Sequence, residues 1–215
     1  MTKKVLLSGD NKLQLRFLCP NDFNEVKKLC SEIFPIEYPD CWYREITTNS
    51  KFYSLAAVYN LQIVGLIVSE MKPWKKCNNE DKDILCSRFL NTASVAYILT
   101  LGVDRDYRRN GIASLLLDNL IAYVVSNPDT TNCKALYLHA LTSNIAAIQF
   151  YEQKKFKPHC HLPCYYWING KPVDGFSYVL YVNDGFPPRT FLYPFLTYLN
   201  KFLIIIKRYH QELMF

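Results

Sequence analysis

One stretch of the sequence decides the fold: Tyr107-Arg108-Arg109-Asn110-Gly111-Ile112-Ala113-Ser114-Leu115-Leu116-Leu117. It follows an apolar run, Val95 to Val103, that predicts a buried strand, and it opens a segment with the apolar spacing of an amphipathic helix. The first N–H groups of a helix lack intrahelical partners and carry partial positive charge, and a glycine lets a ligand approach the backbone closely. Together with the two arginines, these features predict a site for a phosphorylated ligand, such as a pyrophosphate. The alternative is a solvated basic loop ahead of a surface helix.

The composition is that of a globular protein. The chain has 215 residues, 50% of them hydrophobic, which suits one domain with or without an appendage. The net charge of +6 permits an anionic cofactor or membrane surface, and no nucleic-acid partner is expected. The eight cysteines form no CxxC pair and no cleavable signal peptide is expected, which favours reduced thiols in a cytosol-facing protein. No apolar run reaches the length of about 18 residues that an ordinary transmembrane helix needs.

Periodicity and punctuation predict the order βαα–ββ–β–α–β–α–β, which indicates a single domain of the α/β or α+β class. The polar and charged segment 72–83 is expected to be an exposed, solvated hairpin loop. Two prolines stiffen the loop Phe34-Pro35-Ile36-Glu37-Tyr38-Pro39-Asp40, which is either a recognition wall or a packed connector. The predicted strands are 13–18, 54–59, 63–71, 94–103, 135–141 and 176–182. The predicted helices are 23–34, 42–48, 111–126 and 145–154.

The stretch His159-Cys160-His161-Leu162-Pro163-Cys164 contains four side chains that can bind a metal ion. Their spacing is too tight for one tetrahedral zinc, and no second cluster lies nearby in the sequence, so no metal is expected. An edge hairpin is predicted instead, with Tyr165 to Ile168 turning at Asn169-Gly170.

The chain resembles the GNAT acetyltransferase superfamily in two motifs. Arg108, Gly111 and Ala113 fill the positions of the acetyl-CoA loop of that superfamily, and the helix after the next strand begins at Asn144 and ends in Phe150-Tyr151. The resemblance implies a mixed, mostly antiparallel sheet, splayed centrally and flanked by helices. It also implies acetyl-CoA as cosubstrate.

Four longer stretches resemble the N-terminal acetyltransferases, and among them the NatF type, the Golgi-membrane Nα-acetyltransferases. The implied activity is acetylation of the free α-amino group of protein N-termini, with Met-Lys, Met-Leu, Met-Val and similar starts accepted. The implied substrates are membrane proteins with cytosolic N-termini. The four stretches are Phe34–Asp40, Val95–Leu99, Leu136–His139 and Asp174–Tyr181.

The chemistry of acyl transfer to an amine fits residues that the resemblance singles out. An α-amino group has a pKa of about 8, so a modest base suffices to keep it neutral. Tyr97 and His139 match the catalytic positions, although a tyrosine or histidine on a strand is by itself more often a packing residue. The peptide groove is expected at Phe34, Glu37, Tyr38 and Leu99.

Acetyl-CoA is expected to contact three segments. A backbone N–H near Leu101, Gly102 and Val103 would stabilise the oxyanion at a β-bulge, Asn144 would bind the pantetheine arm, and Tyr151 would protonate the leaving thiolate. Helix capping by Asn144 and core packing of Tyr151 are the alternatives. The further cofactor candidates are Arg108, Arg109, Asn110, Gly111, Ile112, Ala113, Ser114, Glu152, Gln153 and Lys154.

The domain is expected to span residues 1–186, followed by a membrane-associating tail over 187–215. The tail is aromatic and aliphatic with basic residues, and residues 190–215 suit an interfacial helix on the cytosolic side of the Golgi membrane. A helix packed on the core is the alternative. A monomer, or a weak homodimer through about residues 163–174, is expected.

Three other functions remain open at this point. A lysine or histone acetyltransferase would need a stronger base, because a lysine amine has a pKa of about 10.4. A catalytically silent CoA-binding adaptor on a membrane is a second alternative, and Tyr97 with His139 argues against it. A small-molecule amine acetyltransferase is the third, and the stiff loop over 34–40 favours a peptide groove instead.

Overall fold

The computed structural model describes residues 13–188 of the chain. These residues form two compact units, which are described in turn. The first unit comprises residues 13–71 and 98–128, and the second comprises residues 72–97 and 129–188. The strand Ser94–Val103 supplies residues to both units.

Four α-helices and seven β-strands make up the described part of the chain. Hydrogen-bonded neighbours follow the order β1-β2-β3-β4-β5-β7-β6, and the pairs β1·β2, β2·β3, β5·β7 and β6·β7 are antiparallel. The predicted α/β (α+β) class, with a mixed sheet and flanking helices, is confirmed. In chain order the elements are β1 Gln14–Phe17, α1 Phe23–Ile33, α2 Asp40–Thr48, β2 Phe52–Tyr59, β3 Gln62–Pro73, β4 Ser94–Val103, α3 Ile112–Ser126, β5 Cys133–Leu141, α4 Ile145–Gln153, β6 Lys157–Ile168 and β7 Lys171–Tyr181.

The first unit has an apolar core between α1, α2 and the strands β2 and β3. Val26, Leu29 and Cys30 recur at helical spacing on α1 and are buried there. They pack with alternate strand residues, including Ala56, Val58, Leu66 and Val68. The apolar runs over 54–59 and 63–71, separated by Asn60-Leu61-Gln62, predict a hairpin between β2 and β3. The antiparallel pairing confirms it, with Asn60 and Leu61 in the turn at φ angles of 52° and 63°.

The buried face of α3 differs in detail from the prediction. It comprises Ile112, Leu116, Leu117, Leu120 and Val124. The apolar spacing of the sequence predicts a buried face of Ile112, Leu115, Leu116, Leu120, Ile121 and Val124. In the structure Leu115 is 39% exposed, and Leu117 is buried in its place. Three consecutive leucines cover most of a helical turn, so the apolar pattern alone does not fix which of them faces the core.

The segment 72–83 of the second unit exposes Lys75, Lys76 and Lys82, as its charge predicted, but it is not solvated throughout. It contains the 3-10 turns Trp74–Lys76 and Asn79–Asp81, and it buries Trp74, Cys77 and Asp81. Trp74 and Cys77 share a core with Ile84, Leu85, Phe89, Val95, Ala135, Tyr137 and Val179. The apolar residues of this segment follow neither a helical nor a strand period, so its charged residues dominated the prediction.

A long antiparallel pair, β6 with β7, closes the strand order at β6. The sequence predicted only the hairpin tip and the second half of β7, whereas β6 already begins at Lys157. The predicted turn at Asn169 and Gly170 is confirmed, with φ angles of 50° and 73°. The stretch His159 to Cys164 therefore lies within a strand.

Within residues 13–188, no helix combines the length and apolar character needed to cross a membrane. The predicted tail lies outside the described residues beyond position 188. The boundary between residues 186 and 187 stays a prediction.

Candidate active site

The loop between β4 and α3, in the first unit, is fixed by its own hydrogen bonds. Arg108 Nε donates to the carbonyl of Val103 at 3.0 Å, and Asn110 Nδ2 donates to the carbonyl of Tyr107 at 3.1 Å. Arg109 is exposed and has a φ of 66°. The bonds of Arg108 and Asn110 shape the loop, and the side chain of Arg109 faces solvent.

Gly111 caps the start of α3 with a φ of 78°. The first intrahelical bond runs from Leu115 N to Gly111 O at 2.9 Å, so the N–H groups of residues 112–114 precede the helical ladder. A Cβ placed on Gly111 would have no atom within 4 Å, which leaves the backbone open to approach. This is the arrangement in which a helix N-terminus binds an anion.

The proline-flanked loop of the first unit carries an aromatic cluster. The rings of Phe34 and Tyr38 meet edge-on with 6.3 Å between centroids, and both pack with Leu99 against the core of the unit. A Cβ on Gly102 would lie 2.6 Å from Phe34 Cζ, so the ring covers the backbone of β4 there. Three predicted groove residues are thus brought together with a predicted cofactor residue, and Glu37 lies exposed on the same loop.

The predicted catalytic pair lies in the second unit and is in direct contact. Tyr97 Oη, on β4, is 3.1 Å from His139 Nδ1, on β5. The imidazole is 2% exposed. Burial raises the pKa of Tyr97 above its ordinary value, so the phenol keeps its proton near neutral pH.

A buried carboxylate that the sequence analysis missed orients the imidazole. Asp81 Oδ1 is 2.9 Å from His139 Nε2, and the Asp81 side chain is 1% exposed. A carboxylate only accepts hydrogen bonds, so the proton of the neutral imidazole is assigned to Nε2 and the lone pair to Nδ1. The two residues are 58 positions apart, and the apolar residues around the 79–81 turn were the available signal that this segment packs inward.

A second hydroxyl reaches the same imidazole nitrogen. Tyr165 Oη, on β6, is 2.9 Å from His139 Nδ1. The single lone pair of Nδ1 accepts one strong hydrogen bond at a time, so Tyr97 and Tyr165 share it. Burial raises the pKa of Tyr165 to about 12. Both hydroxyls are therefore protonated at neutral pH, and Nδ1 is a buried base that is reached through them. The sequence analysis placed Tyr165 only in the edge hairpin.

The helix α4, in the second unit, carries the remaining cofactor candidates. Asn144 caps it by accepting a hydrogen bond from the backbone N–H three residues on, at 3.1 Å. Tyr151 is 7% exposed, and burial raises its pKa, so the phenol keeps its proton. Glu152 accepts a hydrogen bond from a tyrosine of β7 at 3.3 Å, Gln153 is exposed, and Lys154 caps the helix. The capping and packing alternatives both hold, and the cofactor contacts stay predictions.

The histidines of β6 pair with carboxylates and not with one another. His159 Nε2 is 2.9 Å from Asp83 Oδ1, and His161 Nε2 is 3.1 Å from Asp174 Oδ2. Among residues 13–188 there is no group of three or more His, Cys, Asp or Glu side chains that could hold a metal ion.

Comparison with known proteins identifies the chain as an acetyltransferase of the GNAT class. The sequence profile of the "Acetyltransferase (GNAT) family" matches residues 23–156. The chain is 55% identical over 176 residues to N-alpha-acetyltransferase 60 of Xenopus tropicalis, a match that covers 82% of this chain and 72% of that protein. It is 52% identical over 190 residues to N-alpha-acetyltransferase 60 of Danio rerio, covering 88% and 78%.

Comparison with solved structures also finds N-terminal acetyltransferases. Crystal structures of Arabidopsis thaliana NAA60, in complex with acetyl-CoA and with a bisubstrate analogue, match at a TM-score of 0.72 and 27% identity, covering 80% of this chain and 99% of theirs. The chain belongs to the GNAT acetyltransferase family, among the N-alpha-acetyltransferase 60 proteins. The predictions of this family, of an N-terminal acetyltransferase and of acetyl-CoA as cosubstrate are confirmed.

Replacing Gly111 with valine is expected to raise the KM for acetyl-CoA by roughly 5- to 20-fold and to leave the choice of peptide unchanged. A β-branched residue at a φ of 78° costs on the order of 1–3 kcal/mol, and it displaces the backbone N–H groups that open α3. Steady-state kinetics with acetyl-CoA and peptide varied in turn measure the two effects separately.

Gly170 offers the matched control, because its φ is 73° and a Cβ there also meets no atom within 4 Å. Gly170→Val should lower the melting temperature by a similar amount and keep the KM for acetyl-CoA within about twofold of wild type. An equal rise of that KM in both variants would contradict the role of the loop.

Proposed function

We propose that the chain transfers the acetyl group of acetyl-CoA to the free α-amino group of protein N-termini, with Tyr97 and His139 as its acid/base pair. The observation that carries this assignment is the buried hydrogen-bonded chain from Asp81 through His139 to the hydroxyl of Tyr97. An α-amino group has a pKa of about 8, so a modest base suffices to take its proton.

The tautomer of His139, with its proton on Nε2, determines which groups accept and donate protons in the proposed reaction. His139 Nδ1 receives the proton that the attacking amine loses, passed on through the hydroxyl of Tyr97, and the Asp81 carboxylate stabilises the imidazolium that forms. The amine nitrogen bonds to the acetyl carbon, and the bond from that carbon to sulfur breaks. CoA leaves as a thiol after taking a proton, for which the protonated phenol of Tyr151 is the proposed donor.

The cofactor assignment rests on the chain's own loops. Backbone groups from Arg109 to Ser114 would hold the pyrophosphate, which the open helix N-terminus at Gly111 supports. Backbone groups over 101–103 would pair with the pantetheine arm and stabilise the oxyanion, and Asn144 would bind the same arm. Its amide NH2 group is available for this, because the cap uses Oδ1.

The peptide assignment rests on the aromatic cluster of the first unit. Phe34, Tyr38 and Leu99 form a partly buried apolar surface, which suits the side chain of an N-terminal methionine. Glu37 is exposed, so its carboxylate is free to attract the incoming ammonium. Peptides that begin Met-Lys, Met-Leu or Met-Val are the proposed substrates, and membrane proteins with cytosolic N-termini are the proposed natural source.

The cellular part of the proposal rests on the sequence of the tail. Residues 190–215 would lie on the cytosolic face of the Golgi membrane, and flotation of the full chain with anionic vesicles would measure this contact. A weak homodimer through residues 163–174 is supported by the position of β6 at the end of the strand order and by Trp167, which is 71% exposed.

Acetyl transfer from labelled acetyl-CoA to matched peptides tests the reaction. One peptide begins Met-Leu with a free N-terminus, a second is identical but N-terminally blocked, and a third is blocked and contains an internal lysine. Label is expected on the first peptide alone. Equal labelling of the blocked lysine peptide would favour the lysine or histone acetyltransferase, and binding of acetyl-CoA without transfer would favour the silent adaptor.

A further inference from the structure

Lys72, the next-to-last residue of β3, carries an ammonium group that lies against the catalytic tyrosine. Its Nζ is 5.0 Å from the centroid of the Tyr97 ring and 5.7 Å from that of the Tyr137 ring. The two rings stack with 4.8 Å between centroids and 24° between planes. A cation within about 6 Å of an aromatic face is attracted to it. The two tyrosines therefore hold the ammonium next to the ring whose hydroxyl contacts His139.

No carboxylate forms an ion pair with Lys72 among residues 13–188. Two other lysines of the chain, Lys27 and Lys51, each contact a carboxylate, that of Asp40 and that of Glu70. Lys72 is partly buried, so solvent screens its charge less than that of a surface lysine. Its ammonium is therefore held by the two aromatic rings and not by a direct ion pair with a carboxylate of the described residues.

Several other polar groups face Tyr97. They are Tyr137 and His139 from β5, Tyr165 and Tyr166 from β6, and Asp81 from the 79–81 turn. The Asp81 carboxylate is committed to His139 Nε2 through Oδ1. None of these groups is a fixed cation, so Lys72 supplies the positive charge on the ring of Tyr97.

We propose that Lys72 is a positioning and specificity-determining residue for acetyl transfer, whose charge favours the neutral form of the amine that reaches Tyr97 and His139. The proposal rests on the roles proposed above for those two residues. A fixed positive charge disfavours a second ammonium beside it, and only the neutral amine can attack the thioester. The charge therefore weakens binding of the protonated substrate and increases the reactive fraction of what is bound.

Lys72→Met and Lys72→Arg, assayed from pH 6 to 9.5 with a free N-terminal peptide, test this role. Methionine keeps most of the stem and removes the charge. The acidic limb of its kcat profile is expected to move up by roughly 0.5 to 1 pH unit, with kcat about 3- to 5-fold lower at pH 7 and within about twofold of wild type at pH 9. The KM for the peptide should fall with kcat at pH 7, so kcat/KM changes little, because its acidic limb reports the free peptide amine. Arginine should keep the wild-type profile.

Lys75→Met, at an exposed lysine of the same segment, is the control and should match wild type throughout. A wild-type pH profile in Lys72→Met would overturn the proposal. So would an equal, pH-independent loss in the Met and Arg variants, which would show that Lys72 acts through packing. If the proposed function itself were wrong, the result would differ: wild type would not label free N-termini, or His139→Ala and Tyr97→Phe would both be fully active.

Discussion

Replacing His139 with alanine is expected to lower kcat by roughly 10²- to 10³-fold, and Tyr97→Phe by about 10²-fold. The alanine variant loses Nδ1, the buried base that Asp81 orients and that two hydroxyls reach. The phenylalanine variant keeps the ring that stacks on Tyr137 and loses only the hydroxyl. Single-turnover transfer from saturating acetyl-CoA to a free N-terminal peptide measures the chemical step.

His161→Ala is the matched control for the histidine variant. His161 also pairs with a carboxylate, Asp174, at 3.1 Å, and it lies in the same unit. Its kcat is expected within about threefold of wild type. Melting curves on all three variants separate lost chemistry from lost folding. Normal turnover in both His139→Ala and Tyr97→Phe would refute the assignment of the acid/base pair.

The local pattern of apolar and polar residues was enough to predict most helices and strands and to place Tyr97 and His139 on strands. The apolar runs Val95 to Val103 and Ala135 to Leu141 placed Tyr97 and His139 on two strands, and the hairpin turns were predictable from Asn60-Leu61 and Asn169-Gly170. Periodicity is a local property of the chain, so it predicts what neighbours in sequence decide. The resemblance then selected these two side chains among several strand tyrosines and histidines.

Periodicity did not predict the contacts between segments that are distant in sequence. Asp81, Tyr165 and Lys72 all touch the catalytic pair, yet none stands in a periodic pattern that marks it. The composition of residues 72–83 indicated solvent exposure, because its lysines and acidic residues outnumber its apolar ones. Trp74 and Cys77 are nevertheless buried, and the free energy gained by burying their apolar surface holds part of the segment against the core. The charge pattern of the sequence does not report this gain.

The cofactor loop shows the same division between local and distant information. The start of α3 was predictable, because the positive φ at its N-cap favours glycine, and Gly111 is visible in the sequence. The ring of Phe34 over Gly102 was not, since it joins positions far apart in sequence. That contact links the proposed peptide groove to the proposed cofactor strand through one glycine that has no room for a side chain.

Asp81→Asn is expected to lower kcat by about 10²-fold while leaving the overall fold intact. An asparagine amide can donate to His139 Nε2, which would favour the tautomer whose proton is on Nδ1. The nitrogen would then no longer accept from Tyr97 or Tyr165, and the base would be lost although every ring stays in place. Nitrogen-15 shifts of the imidazole report the tautomer directly, and single-turnover kinetics report the chemical step.

Asp83→Asn provides the control, because Asp83 Oδ1 pairs with His159 Nε2 at the same 2.9 Å but its side chain is 70% exposed. Solvent screens this exposed carboxylate, and an asparagine at position 83 can still hydrogen-bond to the buried imidazole of His159, so the variant should lose only on the order of 1 kcal/mol of stability and turn over within about threefold of wild type. If Asp81→Asn changed the tautomer and kept wild-type turnover, His139 would not be the base. If it lowered only the melting temperature, Asp81 would hold the 79–81 turn in place and have no part in proton transfer.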